Sequence, residues 1–186
     1  SLSDKLIIDA NSRISLSNND SGGTGGSDSS SGNTLLGKYA GGSIASGGVN
    51  NTFLGHATSY RVTTGDNNVS VGTNAGWGNH TGSDNTYVGK HAGMGAEDNA
   101  NSNNVGVGSG ALLAVTTGSG NVAVGKGSLL NNTDGNSNIA IGLAALETNI
   151  GTDYNTAIGY ASGKYTTGAS NTYLGYLAGQ GASGAE

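Results

Sequence analysis

Few stretches of this 186-residue chain combine residue type and spacing in a way that could do chemistry. The best is GNVAVGKGS at 120–128, which is close to the phosphate-binding pattern G-x4-G-K-[ST]. In that pattern a Ser or Thr hydroxyl binds magnesium and a helix follows. Here Gly127 occupies the hydroxyl position and Ser128 comes one residue late. GQGASG at 179–184 matches G-x-G-x-x-G, but no helix is predicted after it, so we expect no nucleotide site.

Metal ligands are equally sparse. The three histidines, His56, His80 and His91, form no H-x-H pair, and we interpret them as solvated surface residues rather than zinc ligands. GGTGGSD at 22–28 resembles a calcium-binding nonapeptide turn, but its aspartate is one residue late and the pattern occurs once. We therefore predict no metal and no cofactor.

Four aspartates, Asp66, Asp84, Asp134 and Asp153, lie in predicted turns, where carboxylates commonly accept hydrogen bonds from backbone N–H groups. A glycosidase needs two carboxyl groups on either side of the scissile bond. No two of these acids share a repeat position that neighbouring units would bring together. We predict that the chain is not an enzyme, and keep a glycan-cleaving enzyme as an alternative.

Composition excludes several classes of protein. The chain has 36 glycines, no proline, no cysteine and a net charge of −5. The absence of cysteine excludes disulfides and thiolate metal sites. The acidic balance argues against nucleic acid as a partner. No apolar run approaches the ~20 residues of a membrane-spanning helix, so we expect no membrane insertion. Because the sequence starts within a pattern, at SLSDKLIIDA, we interpret it as a fragment of a longer protein.

The elements that must position any site come from a repeat, N-x-x-[LVI]-G, which occurs nine times at spacings of 16 to 19 residues. Positions are numbered here from its glycine, position 0. The glycines are Gly37, Gly55, Gly72, Gly89, Gly108, Gly125, Gly142, Gly159 and Gly175. The asparagines at −4 are Asn33, Asn51, Asn68, Asn85, Asn104, Asn121, Asn138, Asn155 and Asn171.

The repeat predicts an all-β fold. Positions −3 and −1 alternate with −2, which is the period of a strand with one face inward. Since −1 is always aliphatic, we predict that −1 and −3 form the buried column and that −2 points outward. A period of about 17 residues is too short for a helix pair, so each copy is one coil of a parallel β-solenoid with strands stacked ~4.7–4.9 Å apart.

The two most regular columns then have structural roles. Stacked asparagines can form a buried amide ladder along the rod. Glycine at position 0 permits a positive φ or a close backbone approach. Copies five to seven carry Leu112, Leu129 and Leu146 where most other copies have glycine, so the middle of the rod is predicted to be better filled.

Two domains are predicted. Residues 33–186 form the solenoid, and residues 1–32 hold two short strands, in KLIID and SRISLS, followed by a Gly- and Ser-rich connector at 18–32. One coil encloses a thin core that leaves a small margin against chain entropy. A second surface at −2 would let copies of the chain pack together, so we expect a closed oligomer.

The motifs NVAVG, NIAIG and NTAIG, each followed by a small residue at +3, resemble the head repeats of trimeric autotransporter adhesins of the YadA type. They also resemble repeat-bearing bacteriophage tail-fibre proteins, and the likeness covers about five-sixths of the chain. The resemblance implies a left-handed parallel β-roll, a homotrimer, and an extracellular role in attachment on a virion tail fibre or a bacterial surface. The period of 17 is longer than the coils of that family.

A binding surface is predicted at position +1, where aromatic and basic side chains recur. A cell-surface glycan or envelope receptor is the expected partner. The candidate residues are Lys38, His56, Lys90, Tyr160 and Tyr176 at +1, together with Tyr173 at −2. Stacking of coils is expected to bring the rings of Tyr160 and Tyr176 within roughly 5 Å. The alternative functions are a tail-spike-like enzyme that cleaves glycans and an ice-binding solenoid. Ice binding would need a flat threonine array, and only five copies have Thr at −3.

Overall fold

The computed structural model describes residues 6–8, 14–16, 32–44, 47–97 and 99–181. The two predicted N-terminal strands are present as β1 (Leu6–Ile8) and β2 (Ile14–Leu16), and they pair antiparallel. The connector predicted at 18–32 lies outside the described residues except for Gly32. No helix among the described residues is long and apolar enough to cross a membrane.

The repeat forms one parallel sheet of nine three-residue strands, each made by positions −3 to −1. Neighbouring strands pair in register, so that each position stacks on the same position of the next coil. The prediction of a parallel β-solenoid is therefore confirmed. The strands are β3 (Thr34–Leu36), β4 (Thr52–Leu54), β5 (Val69–Val71), β6 (Thr86–Val88), β7 (Val105–Val107), β8 (Val122–Val124), β9 (Ile139–Ile141), β10 (Thr156–Ile158) and β11 (Thr172–Leu174).

Each coil has two walls. The strand is one wall, and positions +1 to +7, here called the return segment, form the other. Backbone hydrogen bonds also join the return segments of successive coils, as from Leu112 N–H to the Ser128 carbonyl (3.0 Å) and from Leu129 N–H to the Ala145 carbonyl (3.0 Å). Both walls are thus tied along the whole rod, which is roughly 40 Å long at the strand spacing.

The predicted orientation of the strands is wrong. The side chains at −2 point into the core, where Phe53, Ala123 and Ala140 are fully buried, whereas the −1 residues Leu54 and Val124 are 44% and 36% exposed. Alternation alone defines two faces without saying which is buried, because both carry residues that strands accept. The −2 column consists of Leu35, Phe53, Ser70, Tyr87, Gly106, Ala123, Ala140, Ala157 and Tyr173.

Side chains of complementary size at positions −2 and +4 fill the core. An added Cβ at Gly41, position +4, would lie 3.0 Å from the Leu35 side chain, which shows that these two positions face each other across the coil. Where −2 is small, as at Ala123 and Ala140, position +4 is the fully buried Leu129 or Leu146. The predicted filling of the middle coils by leucine is therefore confirmed, with each leucine packing over a small −2 residue.

The largest buried side chain is that of Tyr87, which lies opposite Gly93 and beside Gly106. Its hydroxyl donates a hydrogen bond to Asn101 Oδ1, and Asn85 Oδ1 lies 3.3 Å from the same hydroxyl oxygen. Burial raises the pKa of this phenol far above its usual value near 10. Tyr87 is therefore a neutral, hydrogen-bonded core residue throughout the physiological pH range.

The predicted asparagine ladder is present. At each of the eight steps, the backbone N–H of one motif asparagine donates to the Oδ1 of the motif asparagine before it, at 2.8–3.0 Å. The Nδ2 groups also reach the turns of their own coils, as from Asn121 to the Gly135 carbonyl at 2.8 Å. Since eight of the nine side chains are buried and Asn171 is half-buried at the end, the column satisfies backbone groups that water cannot reach.

Turns are made by positive φ angles that recur at fixed positions. The motif glycines all have φ between 124° and 138°, and positions −5, +2 and +4 are left-handed in every coil. An added Cβ at Gly125 would lie 2.5 Å from the carbonyl oxygen of Gly142 in the next coil. Glycine is required at position 0 by both this φ and this close approach, as the sequence predicted.

Candidate interaction surfaces

One candidate surface is the outward face of the parallel sheet, here called the strand face. It consists of the −3 and −1 side chains of β3–β11, eighteen in all, of which thirteen are aliphatic, five are threonine and none is charged. Leu36, Leu54, Val69, Val124, Ile139, Ile141, Ile158 and Leu174 are each at least 36% exposed. A sheet face in contact with water normally carries polar residues, so an exposed face of this composition is unusual.

The strand face and the candidate binding residues lie on opposite sides of the solenoid. The −2 and +4 side chains meet in the core, so the outward residues of the two walls point in opposite directions. Lys38, His56, Tyr160 and Tyr176 belong to the return segment and are exposed. A partner that covers the strand face would therefore leave these residues in contact with solvent.

At the C-terminal end, the rings of Tyr160 and Tyr176 stack with their centroids 5.3 Å apart and their planes 17° apart, as the coil spacing predicted. Because each ring covers one face of the other, the pair presents edges and outer faces rather than a broad aromatic platform. Tyr173 does not join them. It occupies −2, is half-buried and packs against the core, so its assignment to a binding surface is wrong.

A long groove runs along the return segments from His91 to Gln180, with a volume of about 430 Å³. Leu113 and Leu130 contribute apolar lining, and Tyr160 lies at the same groove. Lys164 donates to Glu147 at 2.9 Å, and this hydrogen bond raises the pKa of the lysine. Lys90 lies on the return segment beside the groove-lining His91.

A second concave site, which the sequence reasoning missed, lies near the N-terminal end of the solenoid. Tyr39, Tyr60 and Trp77, with Ala57, line a cavity of about 270 Å³, here called the aromatic pocket. The three rings come from coils 1, 2 and 3, at positions +2, +5 and +5. Tyr39 meets the Tyr60 ring edge-on at 6.1 Å and the His56 ring at 5.9 Å.

The sequence held a signal for this pocket. Two successive coils place Tyr60 and Trp77 at position +5 of the return segment, where in-register stacking must make them neighbours. Of the residues predicted to bind a partner, only Lys38 and His56 flank the pocket, and its three rings were missed.

The aspartates act within turns and between coils. The Asp66 carboxylate accepts from the Val49 N–H of the preceding coil at 2.8 Å, and Asp153 accepts from the Asn136 N–H at 2.6 Å. Thr133 donates its hydroxyl to Asp134, and Asn67 donates its side-chain amide to Asp84. Within the described ranges, no three His, Asp or Glu side chains lie together in a group that could hold a metal ion.

No family model, curated protein or solved structure matches this chain. The arrangement of residues therefore carries the functional argument.

Proposed function

We propose that the chain is a structural and adhesive segment of an extracellular fibre, assembled as a homotrimer of left-handed solenoids around the strand face. The carrier is a phage tail fibre or a bacterial surface adhesin, as the motif resemblance implies. The single observation that supports assembly is the uncharged, aliphatic strand face, which runs over all nine coils.

The size of this face supports a role in association. At ~3.3 Å per residue and ~4.8 Å per strand, three-residue strands in nine coils make a flat area roughly 10 Å by 40 Å. The largest contiguous apolar patch on a soluble monomer, about 300–600 Å², is often functional. Covering the strand face removes exposed aliphatic side chains from water, at ~25 cal/mol per Å².

Copies of the same chain are well suited to cover the face. Around an axis parallel to the rod, coil n of one copy lies beside coil n of the next, so the regular columns of all copies match in spacing. Closed cyclic symmetry then covers every strand face without leaving an open end that would grow into aggregates. The face is narrow, which suits three copies meeting at an axis, and the return segments face outward.

The test is a pair of charges on the strand face. We expect Val124→Asp with Ile141→Asp to weaken self-association on the order of 100-fold or more, because unpaired carboxylates would be buried between copies. Analytical ultracentrifugation should show the mass moving from about three chains toward the 18.1 kDa of one chain. The milder pair Val124→Thr with Ile141→Thr keeps the strand preference and should give an intermediate dissociation constant.

The matched control is Leu143→Asp with Ile150→Asp, two aliphatic residues that are 46% and 62% exposed and lie off the strand face. The control should keep the parent mass. If the control dissociates as readily as the strand-face variant, or if the strand-face variant keeps the parent mass, the proposed interface is wrong.

Ice binding is the second candidate function. One observation favours it: five threonines at position −3 point outward on a regular sheet. They are Thr34, Thr52, Thr86, Thr156 and Thr172, and the other four coils have Val or Ile at this position. A solenoid that used this face for ice would stay monomeric and would slow ice recrystallisation. A trimer without any effect on ice growth would exclude this candidate.

A further inference from the structure

The aromatic pocket has the features of a ligand site on the side of the solenoid away from the strand face. Three aromatic side chains line it, and Tyr39 is 55% and Tyr60 37% exposed, so both rings are accessible to a ligand. The Tyr60 ring lies against the backbone of Gly42, where an added Cβ would be 2.5 Å from ring atom Cε2. The absence of a side chain at Gly42 thus sets the position of this ring.

The charged groups of two cationic side chains lie over two of these rings. Lys38 Nζ is 4.9 Å from the centre of Tyr39, and Arg61 Cζ is 5.0 Å from the centre of Trp77. Arg61 also donates to Glu97 at 2.7 Å, with the Glu97 side chain 62% exposed. Lys38 therefore places a positive charge beside the aromatic pocket, on a chain whose net charge is −5. This cation favours an anionic ligand.

We propose that the aromatic pocket binds a single sugar ring that carries a carboxylate, a residue of the uronic or sialic acid class. The C–H groups on one face of a sugar ring bear partial positive charge and pack on the negative faces of aromatic rings. The carboxylate pairs with the ammonium group of Lys38, which lies over the Tyr39 ring. A cavity of about 270 Å³ is slightly below the ~300–1,000 Å³ of pockets for drug-sized ligands, which suits one ring.

This inference deepens the attachment role proposed above and rests on it for its biological meaning. The pocket itself is built by one chain, from coils 1 to 3, so binding can be measured whatever the state of assembly. In a trimer the pocket would occur three times on the outer surface, and weak single contacts would add through multivalency.

The experiment uses Trp77 as the reporter, since it is the only tryptophan of the chain. The full chain is titrated with methyl glucuronide, with a methyl sialoside and with methyl glucoside, the neutral counterpart of the first. We expect a saturable change in tryptophan fluorescence with at least one of the acidic sugars. The acidic sugar should bind on the order of tenfold more tightly than the glucoside, as a charge-assisted hydrogen bond contributes.

Variants separate the two parts of the site. Tyr39→Ser with Tyr60→Ser should abolish saturable binding of every sugar, and Lys38→Gln should reduce the preference for the acidic sugar while binding of the glucoside is kept. The control Tyr154→Ser removes a tyrosine that is 65% exposed in the turn of another coil and should bind like the parent.

The absence of a saturable response to either acidic sugar would overturn the inference. So would equal affinity for the glucoside, or unchanged binding by the double tyrosine variant. Each of these results could occur in an intact trimer, which would leave the proposed assembly standing. Conversely, a monomeric chain that binds the acidic sugar would contradict only the assembly.

Discussion

Gly125→Ala is expected to unfold the solenoid, whereas Gly127→Ala, in the same coil, is expected to cost little. At Gly125 the φ angle is 132° and the new Cβ would lie 2.5 Å from the carbonyl oxygen and 2.6 Å from the carbonyl carbon of Gly142. These are backbone atoms inside the stack, so they can move only if neighbouring coils separate. We expect a loss above ~4 kcal/mol in the free energy of unfolding, a size that marks a specific structural fault.

Gly127 provides the matched control because its φ is 65° and no heavy atom would lie within 4 Å of an added Cβ. Its alanine variant should lose only the ~1–2 kcal/mol of a left-handed non-glycine residue. Denaturant unfolding followed by circular dichroism measures both. Similar losses in the two variants would show that coil spacing at position 0 is not set by this contact.

Asn121→Ala is expected to destabilise the solenoid almost as much. The Asn121 side chain donates to the Gly135 carbonyl at 2.8 Å and accepts from the Asn138 N–H at 2.9 Å. Its removal leaves the buried Asn138 N–H without that acceptor, at ~1–3 kcal/mol for an unsatisfied group. It also weakens the turn and leaves a void, so we expect a total loss of about 3–5 kcal/mol.

The control for this change is Asn131→Ala, which truncates an exposed asparagine ten residues further along. The loss there should stay within ~0.5 kcal/mol, as for ordinary surface substitutions. The same unfolding experiment compares the two variants. If Asn121→Ala is as mild as Asn131→Ala, the ladder contributes little to stability and its regularity has another cause.

The sequence alone was sufficient to predict the solenoid, its register and its two regular columns. The reason is that nine in-register copies repeat the same constraint. Gly125 and Asn121 have the same neighbours as their counterparts in the adjacent coils, so a single stacking rule fixes many contacts. The short runs around β1 and β2 are rich in aliphatic residues, which was enough to predict two short strands.

The direction in which the strands face could not be obtained from alternation, which is symmetric between the two faces. The size relation between −2 and +4 would have given it. Phe53 and Tyr87 are opposed by Ser59 and Gly93, and Ala123 is opposed by Leu129. A large side chain at one position is matched by a small one at the other when both positions share a close-packed core. We instead took the most aliphatic column as the buried one, as is usual for a monomer.

The inverted strands change the functional interpretation as well as the packing. Aliphatic columns that point outward support association more strongly than the mixed −2 column, to which the sequence reasoning assigned that role. The aromatic pocket was missed for a related reason, because its rings occupy positions +2 and +5, which become neighbours only when the return segments stack. A repeat must be compared column by column at every position before its surfaces can be predicted.

The most direct test of the proposed assembly is the mass of the unmodified chain in solution, measured by light scattering over a dilution series into the low micromolar range. We predict a constant mass of about three times 18.1 kDa, with a circular dichroism spectrum typical of β-structure throughout the series. A folded particle of 18.1 kDa over the same range would contradict the proposal that the strand face joins copies of this chain.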